Sequence, residues 1–218
     1  MMKYILLITH LMAVSILLGQ VYGRGVYDID GNRYKTVLIG KREWMSSNLN
    51  VTKFNNGDPI DVFKQDTLWE GLNTAAYIDF PRQYRSNMTG KLYNWYVVGD
   101  KRNVCPINWH IPTDVEWSNL INYLGGSNFA GENLKKQQFK LPLFRDKRYL
   151  KSNFNALLNG YIGFDGHFCE FGEIAVWWSS TQNVSNTAWN RAIFKDNSNV
   201  YRDDEIKQTG LSLRCVRN

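Results

Sequence analysis

Cysteine, histidine and proline are scarce in this sequence, and their scarcity limits the chemistry available to it. The 218 residues include three cysteines, three histidines and five prolines. The cysteines form no Cys-x-x-Cys pair and no histidine cluster accompanies them, so the usual pattern of a zinc site is missing. Ser179-Ser180 lacks the Gly-x-Ser-x-Gly context of a serine nucleophile. We therefore expect no metal, no other cofactor and no enzymatic activity.

Long apolar runs are absent after residue 23, and the run near the start is short. Residues 5–18 follow Lys3 and are mostly apolar, with three polar interruptions. A membrane-spanning helix needs about 20 apolar residues, whereas this pattern is typical of a secretory signal peptide. We predict that residues 1–23 are a cleaved signal peptide and that residues 24–218 form one domain. The mature chain would be secreted or kept in the cell envelope, without a transmembrane anchor.

Acidic residues are fewer than basic ones, and the difference lies in one segment. The formal net charge is +6, and residues 131–151 carry seven Lys or Arg residues against two acidic ones. Nucleic-acid binding usually needs a broader basic surface, and export makes it less expected still, so we predict no nucleic-acid partner. The segment is either a solvated basic loop or a contact for an anionic polymer. In the second case Lys135 and Lys136 are the candidate contacts.

One helix has clear signals at both ends. Thr113 and Glu116 have the spacing of a capping box, in which each side chain bonds the other residue's backbone N–H. Gly125-Gly126 suits the left-handed conformation that ends a helix. The cap accounts for Asp114 and Glu116 better than a catalytic carboxylate pair does, and we expect His110 to be packed and hydrogen-bonded. Apolar residues at helical spacing predict one buried face: Trp117, Leu120, Ile121 and Leu124.

Two acidic sequences resemble metal sites. Asp28-Ile-Asp-Gly-Asn resembles the start of a calcium loop, but the twelfth position is Ile39 rather than Glu, which favours an Asp-Gly turn. Asp203-Asp204-Glu205 is either a short acidic turn facing a metal or the basic segment, or a solvated hairpin end. We favour the hairpin end.

Aromatic and β-branched segments separated by turns predict strands in the rest of the chain. Residues 91–98 suit a short helix or a strand equally well. No internal repeat or linker divides the chain, so we predict one α+β domain with one or two main helices packed on short antiparallel strands. The predicted strands are 34–39, 42–45, 176–181, 188–194, 199–202 and 211–216.

Several short motifs resemble the Fibrobacter succinogenes major paralogous domain, which occurs in exported proteins of that genus and of Bacteroidetes-like bacteria. They come in the family's order and include Gly90-Lys-Leu-Tyr-Asn-Trp-Tyr, Cys105-Pro-x-x-Trp-His-Ile-Pro-Thr-Asp-x-Glu-Trp, Trp177-Trp-Ser-Ser-Thr and Leu213-Arg-Cys-Val. The resemblance implies a C-type-lectin-like fold but no established activity.

The resemblance also implies a disulfide and argues against a calcium-bound sugar. Lectin-like folds commonly tie the region before the first main helix to a late strand, which implies a Cys105–Cys215 disulfide and leaves Cys169 unpaired. Calcium-dependent lectins use Trp-Asn-Asp to hold the ion. Here Arg191 follows Trp189-Asn190, and its charge would repel a cation.

Two functions remain open. The first is a non-catalytic surface or secreted recognition module that binds an extracellular glycan or protein through loops on a lectin-like scaffold. Its candidate ligand contacts are Trp69, Trp189, Lys135 and Lys136. The alternative is an exported enzyme acting on cell-envelope or plant polysaccharide. That enzyme would need a convergent pair of titratable groups, which the sequence does not show.

Overall fold

The computed structural model describes residues 23–63, 71–84, 89–136, 138, 140 and 152–218. The predicted signal peptide up to residue 22 and the candidate contact Trp69 lie outside the described residues. None of the described helices is both long and apolar enough to cross a membrane.

The described chain is an α+β structure dominated by short strands. Its helices are α1 Trp95–Val98, α2 Asp114–Tyr123 and α3 Ala130–Leu134. The strands are β1 Val26–Tyr27, β2 Arg33–Tyr34, β3 Thr36–Ile39, β4 Arg42–Met45, β5 Asp61–Val62, β6 Ala76–Ile78, β7 Leu92–Tyr93, β8 Trp109–His110, β9 Tyr161–Ile162, β10 Phe168–Cys169, β11 Ile174–Gln182, β12 Thr187–Phe194, β13 Val200–Ile206, β14 Leu211–Ser212 and β15 Val216–Arg217.

The larger sheet contains seven strands in the order β13-β12-β11-β14-β7-β6-β5. Strands β11, β12 and β13 pair antiparallel, as the sequence predicts. The prediction of antiparallel strands is wrong at two pairs, because β14 runs parallel to β11 and β5 runs parallel to β6. Residues 207–210 connect β13 to β14, which lies on the other side of β11. Strand β14 therefore does not pair with β13, the strand before it in the chain.

The smaller sheet joins the end of the chain to its early part. Its order is β3-β4-β15-β8, and Val216 of β15 pairs with both Trp44 and His110. Beside this junction Cys105 and Cys215 form a disulfide with a Cα–Cα distance of 5.9 Å, across a sequence separation of 110 residues. The pairing implied by the resemblance is the one that the structure contains.

Helix α2 has the predicted cap and the predicted buried face. The Thr113 hydroxyl accepts from the Glu116 N–H, and the Glu116 carboxylate accepts from the Thr113 N–H. Gly125 and Gly126 take φ values of 105° and 87°, which a side chain would strain. The four apolar residues are all buried: Trp117, Leu120, Ile121 and Leu124.

Alternate residues of β11 point to opposite faces of the large sheet, and each face has its own core. Trp177 packs with Trp117 and Phe154 on the face that α2 covers. Trp178 packs on the other face in a core that includes Tyr93 and the disulfide. Both faces are therefore covered around β11, and what the outer strands present to solvent decides where a ligand can approach.

Candidate ligand-binding groove

A groove lies over the end of the large sheet formed by β12 and its edge strand β13. Successive residues of a strand point to opposite faces, so Asn190, Ala192 and Phe194 of β12 all face this groove. The antiparallel register places Asp203 opposite Asn190 and Tyr201 opposite Ala192. The strand alternation thus collects polar and aromatic side chains on one face of the sheet.

The groove has a cavity volume of about 470 Å³ with apolar and aromatic surfaces. Phe194 and Tyr201 meet edge to face, with their ring centroids 5.2 Å apart. Tyr161 contributes a third ring from the β9–β10 hairpin. The apolar part of the lining includes Ile174, Val176 and Leu211.

Acidic side chains dominate the polar part of the lining. No Lys, Arg or His occurs among the described lining residues, and their carboxylates belong to Glu170, Asp196, Asp203 and Glu205. The Asp203 carboxylate accepts from the Asp204 N–H at 2.9 Å, and the Glu205 carboxylate accepts from the Ile206 N–H at 3.1 Å. These bonds orient the two carboxylates, and each carboxylate keeps further lone pairs for a donor.

Asn190 carries an unsatisfied acceptor on the groove face. The residue is 4% exposed, and its amide oxygen Oδ1 has no hydrogen-bond partner among the described residues. Leaving a buried polar atom without a partner costs about 1–3 kcal/mol. A ligand donor that reached this amide would recover part of that cost.

Tyr161 stays protonated at neutral pH and can serve as a donor in the groove wall. Burial is the main cause that raises the pKa of Tyr161 to about 12, and neighbouring Cys169 and Glu170 raise it further. Cys169 pairs with Tyr161 across the hairpin, is half-buried, and has no disulfide partner in the described part of the chain. This agrees with the expectation that Cys169 is the leftover thiol.

On the opposite face of β12 and β13, two arginine side chains form ion pairs with the first residue of α2. Arg191, nearly fully buried, and Arg202 both bond the Asp114 carboxylate at the start of α2, at 2.7 and 3.0 Å. Burial raises the pKa of Asp114, but the hydrogen bonds from Arg202 and Arg191 outweigh it, so the pKa lies below its ordinary value. The Arg202 guanidinium also stacks on Trp189, 3.3 Å from the ring centroid. This cluster holds α2 against β12 and β13.

The predicted contacts do not converge in the groove. Lys135 is wrong as a ligand contact, because its side chain is 0% exposed, pairs with Glu132 and donates to the carbonyls of Lys195 and Asn197. The run of positive charge predicts a surface loop. In the structure Lys135 is the C-cap residue of α3, and its side chain is buried. Lys136 is exposed, and its role as a contact remains a prediction.

Two further sequence interpretations need correction. Lys140 of the basic segment is buried, so at least part of that segment is not a solvated loop. Asp203-Asp204-Glu205 lies inside β13 rather than at a hairpin end.

Trp189 is half-buried beneath Arg202, on the face away from the groove. It remains a candidate contact only for a ligand on that other face.

His110, Glu116 and Asp28 have structural partners. His110 Nε2 lies 2.9 Å from the Glu116 carboxylate, whose lowered pKa reflects hydrogen bonds from Thr113 and His110 that outweigh the raising effect of burial. Asp28 accepts from the backbone N–H groups of Asp30 and Asn32, as in a turn. No group of three or more His, Cys, Asp or Glu side chains in the described ranges is placed to hold a metal ion.

The model of the Fibrobacter succinogenes major domain matches the chain over residues 37–217. The chain belongs to that family. Among curated proteins and among solved structures, nothing matches it. The matched range includes the disulfide, α2 and every residue of the groove, so all three are parts of the Fibrobacter succinogenes major domain.

The groove is a candidate site that the sequence does not predict. Residues 200–206 read Val-Tyr-Arg-Asp-Asp-Glu-Ile, and because three acidic residues are consecutive the sequence does not show the two-residue period of a strand there. The sequence favours a solvated hairpin end for Asp203-Asp204-Glu205, whereas these residues lie inside β13. The partners from β9, β11, β12 and β14 come together only through tertiary structure.

Proposed function

We propose that this chain is an exported, non-catalytic recognition module that binds its ligand in the groove over β12 and β13. The observation that carries the proposal is the Asn190 acceptor without a partner, set in a cavity of about 470 Å³. Cavities of this size with convergent polar groups are the usual form of a binding site. The groove also has aromatic walls, which suit either a sugar ring or a side chain of a protein.

A C-type-lectin-like scaffold is part of this proposal. In its support, the Cys105–Cys215 disulfide connects the segment before α2 to the last strands, and β15 lies between β4 and β8. In such a scaffold the fold is a rigid platform and the ligand is chosen by the surface it carries.

Binding is favoured over the alternative of an exported enzyme acting on polysaccharide. A glycosidase needs one carboxylic acid with a raised pKa to protonate the leaving group. Among the described residues, the carboxyl groups with a resolved pKa shift are shifted downward, including Asp30, Asp114 and Glu116. Their partners are salt bridges and caps, which stabilise structure.

The test is to fill the groove and ask whether ligand binding is lost. We would screen the mature chain on a glycan array and on a peptide array, and repeat both with Ala192→Trp, whose indole would occupy the groove. Val115→Trp is the matched control, because Val115 is 66% exposed on α2 and away from the groove. We expect Ala192→Trp to weaken binding at least about tenfold and Val115→Trp to leave it unchanged.

Two results would contradict the proposal. One is a folded Ala192→Trp variant, with the thermal midpoint of the control, that binds the same ligands with unchanged affinity. The other is the absence of any ligand on either array.

A further inference from the structure

We infer that the groove selects a lysine or arginine side chain presented by an extended segment of a protein partner. This inference rests on the proposed function, because it names the class of ligand for the same groove. Four features of the groove support it: its charge, its aromatic walls, the Asn190 acceptor and its place at the edge of the sheet.

The groove carries negative charge that nothing in the described chain neutralises. Several acidic groups elsewhere pair with basic ones, as Asp114 does with Arg191 and Glu173 with Lys195. Within the described ranges, no ion pair involves the four carboxylates of the groove, Glu170, Asp196, Asp203 and Glu205. A cationic ligand supplies the missing partner, whereas a neutral sugar leaves the charge uncompensated.

The net charge of the whole chain is positive, whereas the charged side chains that line the groove are acidic. The net charge of +6 repels a polycation on average. Because the Debye length is about 8 Å at physiological ionic strength, a cation inside the groove responds mainly to the carboxylates around it. Binding of a cationic peptide would therefore report this groove and not a general attraction to the surface.

The aromatic walls suit a cation. A Lys ammonium or Arg guanidinium near an aromatic face is attracted to it, with a contribution of about 0.5–2 kcal/mol. The chain uses this contact internally, with Arg202 over Trp189 at 3.3 Å and Lys207 over Trp95 at 4.5 Å from the ring centroids. In the groove, the edge-to-face pair of Phe194 and Tyr201 offers the same kind of surface beside the carboxylates.

Asn190 independently calls for a donor. Its Oδ1 has no partner in the described part of the chain, and its side chain stands opposite Asp203 on the neighbouring strand. Lys and Arg side chains are donors with no acceptor atom, so one cation can satisfy both the amide and the carboxylate.

The position at the edge of the sheet favours a polypeptide. Strand β13 is the outermost strand, and its groove-facing residues Tyr201, Asp203 and Glu205 are spaced two apart. An extended segment lying along this edge presents every second side chain to the same face. Alternating lysines in such a segment would match the two-residue period of the acidic side chains.

The experiment uses a fluorescein-labelled hexapeptide of alternating lysine and serine, and the same peptide with glutamine in place of lysine. Fluorescence anisotropy with the mature chain gives each dissociation constant. The test variant is Asp203→Asn/Glu205→Gln, which removes two charges from the groove. The control Glu173→Gln/Asp204→Asn removes two charges outside it, since neither residue is part of the groove lining.

We expect the wild-type chain to bind the lysine peptide and not the glutamine peptide. The groove variant should weaken binding about tenfold, since each surface pair is worth up to a few-fold, and the control should change it less than about twofold. Equal binding of both peptides, or equal losses in the two variants, would overturn the inference.

A third result separates this inference from the proposed function. If a neutral glycan binds, loses affinity in Ala192→Trp and keeps it in Asp203→Asn/Glu205→Gln, the groove is a binding site but the cation inference is wrong. If no probe responds to Ala192→Trp, the proposed function itself fails.

Discussion

At the scale of single residues, Asp114 explains how an acidic side chain serves structure here and not chemistry. It begins α2, where a carboxylate is favoured by the helix dipole, and it also accepts from Arg191 and Arg202 on two adjacent strands. The Arg191 side chain is 2% exposed, so removing its carboxylate partner would leave a buried charge uncompensated. Arg191 therefore depends on Asp114 for its place in the core.

Replacing Asp114 by Asn should lower the free energy of unfolding by about 3 kcal/mol at pH 7. The pKa of Asp114 is lowered in the folded state, so its contribution is full above the unfolded pKa of about 4 and is lost as the pH falls through the folded value. The difference between wild type and Asp114→Asn should therefore shrink below about pH 4. Urea unfolding at pH 7 and pH 3 measures it, and a difference independent of pH would contradict the assignment.

At the scale of elements, α2 shows what local sequence can determine. Its cap, its buried stripe and its left-handed end all depend on residues within one stretch of chain, from Thr113 to Gly126. Each signal acts through backbone groups a few residues away, so no tertiary information was needed. The β3–β4 hairpin was predictable for the same reason.

The cap of α2 gives a stability prediction at this scale. Thr113→Ala removes the side-chain acceptor for the Glu116 N–H and should cost about 1 kcal/mol of unfolding free energy. Thr113→Ser keeps the hydroxyl and should recover most of that loss. Urea unfolding of the three proteins checks this, and equal stability of the Ala and Ser variants would show that the cap contributes nothing.

Other elements could not be predicted because their partners are distant in sequence. The predicted strand 211–216 is divided between β14 in the large sheet and β15 in the small one. The sequence predicts a surface position for Lys135, yet its side chain is buried and bonds Glu132 and two backbone carbonyls that lie 60 and 62 residues further along the chain. The groove likewise depends on Tyr161, Asn190 and Asp203 meeting from three strands. These contacts depend on the register of the strand pairs and on which elements pack together, and the amino-acid composition does not determine either.

At the scale of the whole molecule, the disulfide and β15 join the end of the described chain to earlier segments: Cys215 bonds Cys105, and β15 pairs with β4 and β8. The Cys105–Cys215 bond spans 110 residues of sequence and restricts the unfolded chain more than a short loop would. It lies in the core on the groove side of the large sheet, with Trp178 and Tyr93. The disulfide thus shares a core with Val176 and Ala192, which line the groove.

Removing this bond should cost about 4–5 kcal/mol of unfolding free energy. The variant Cys105→Ser/Cys215→Ser is compared with Cys169→Ser, which removes the half-buried thiol and should cost much less. Urea unfolding gives both values. An unreduced tryptic digest should contain a Cys105–Cys215 peptide, and a bridge through Cys169 would contradict the pairing.

The central claim is that a ligand occupies the groove face of β12 and β13. The most direct measurement is an NMR titration of the ¹⁵N-labelled protein with the hexapeptide of alternating lysine and serine. We expect amide shifts to concentrate at residues 190–194 and 201–205 and at Tyr161, with α2 unchanged. Shifts confined to α2 or to the exposed basic residues, or no shifts at saturating peptide, would contradict the account.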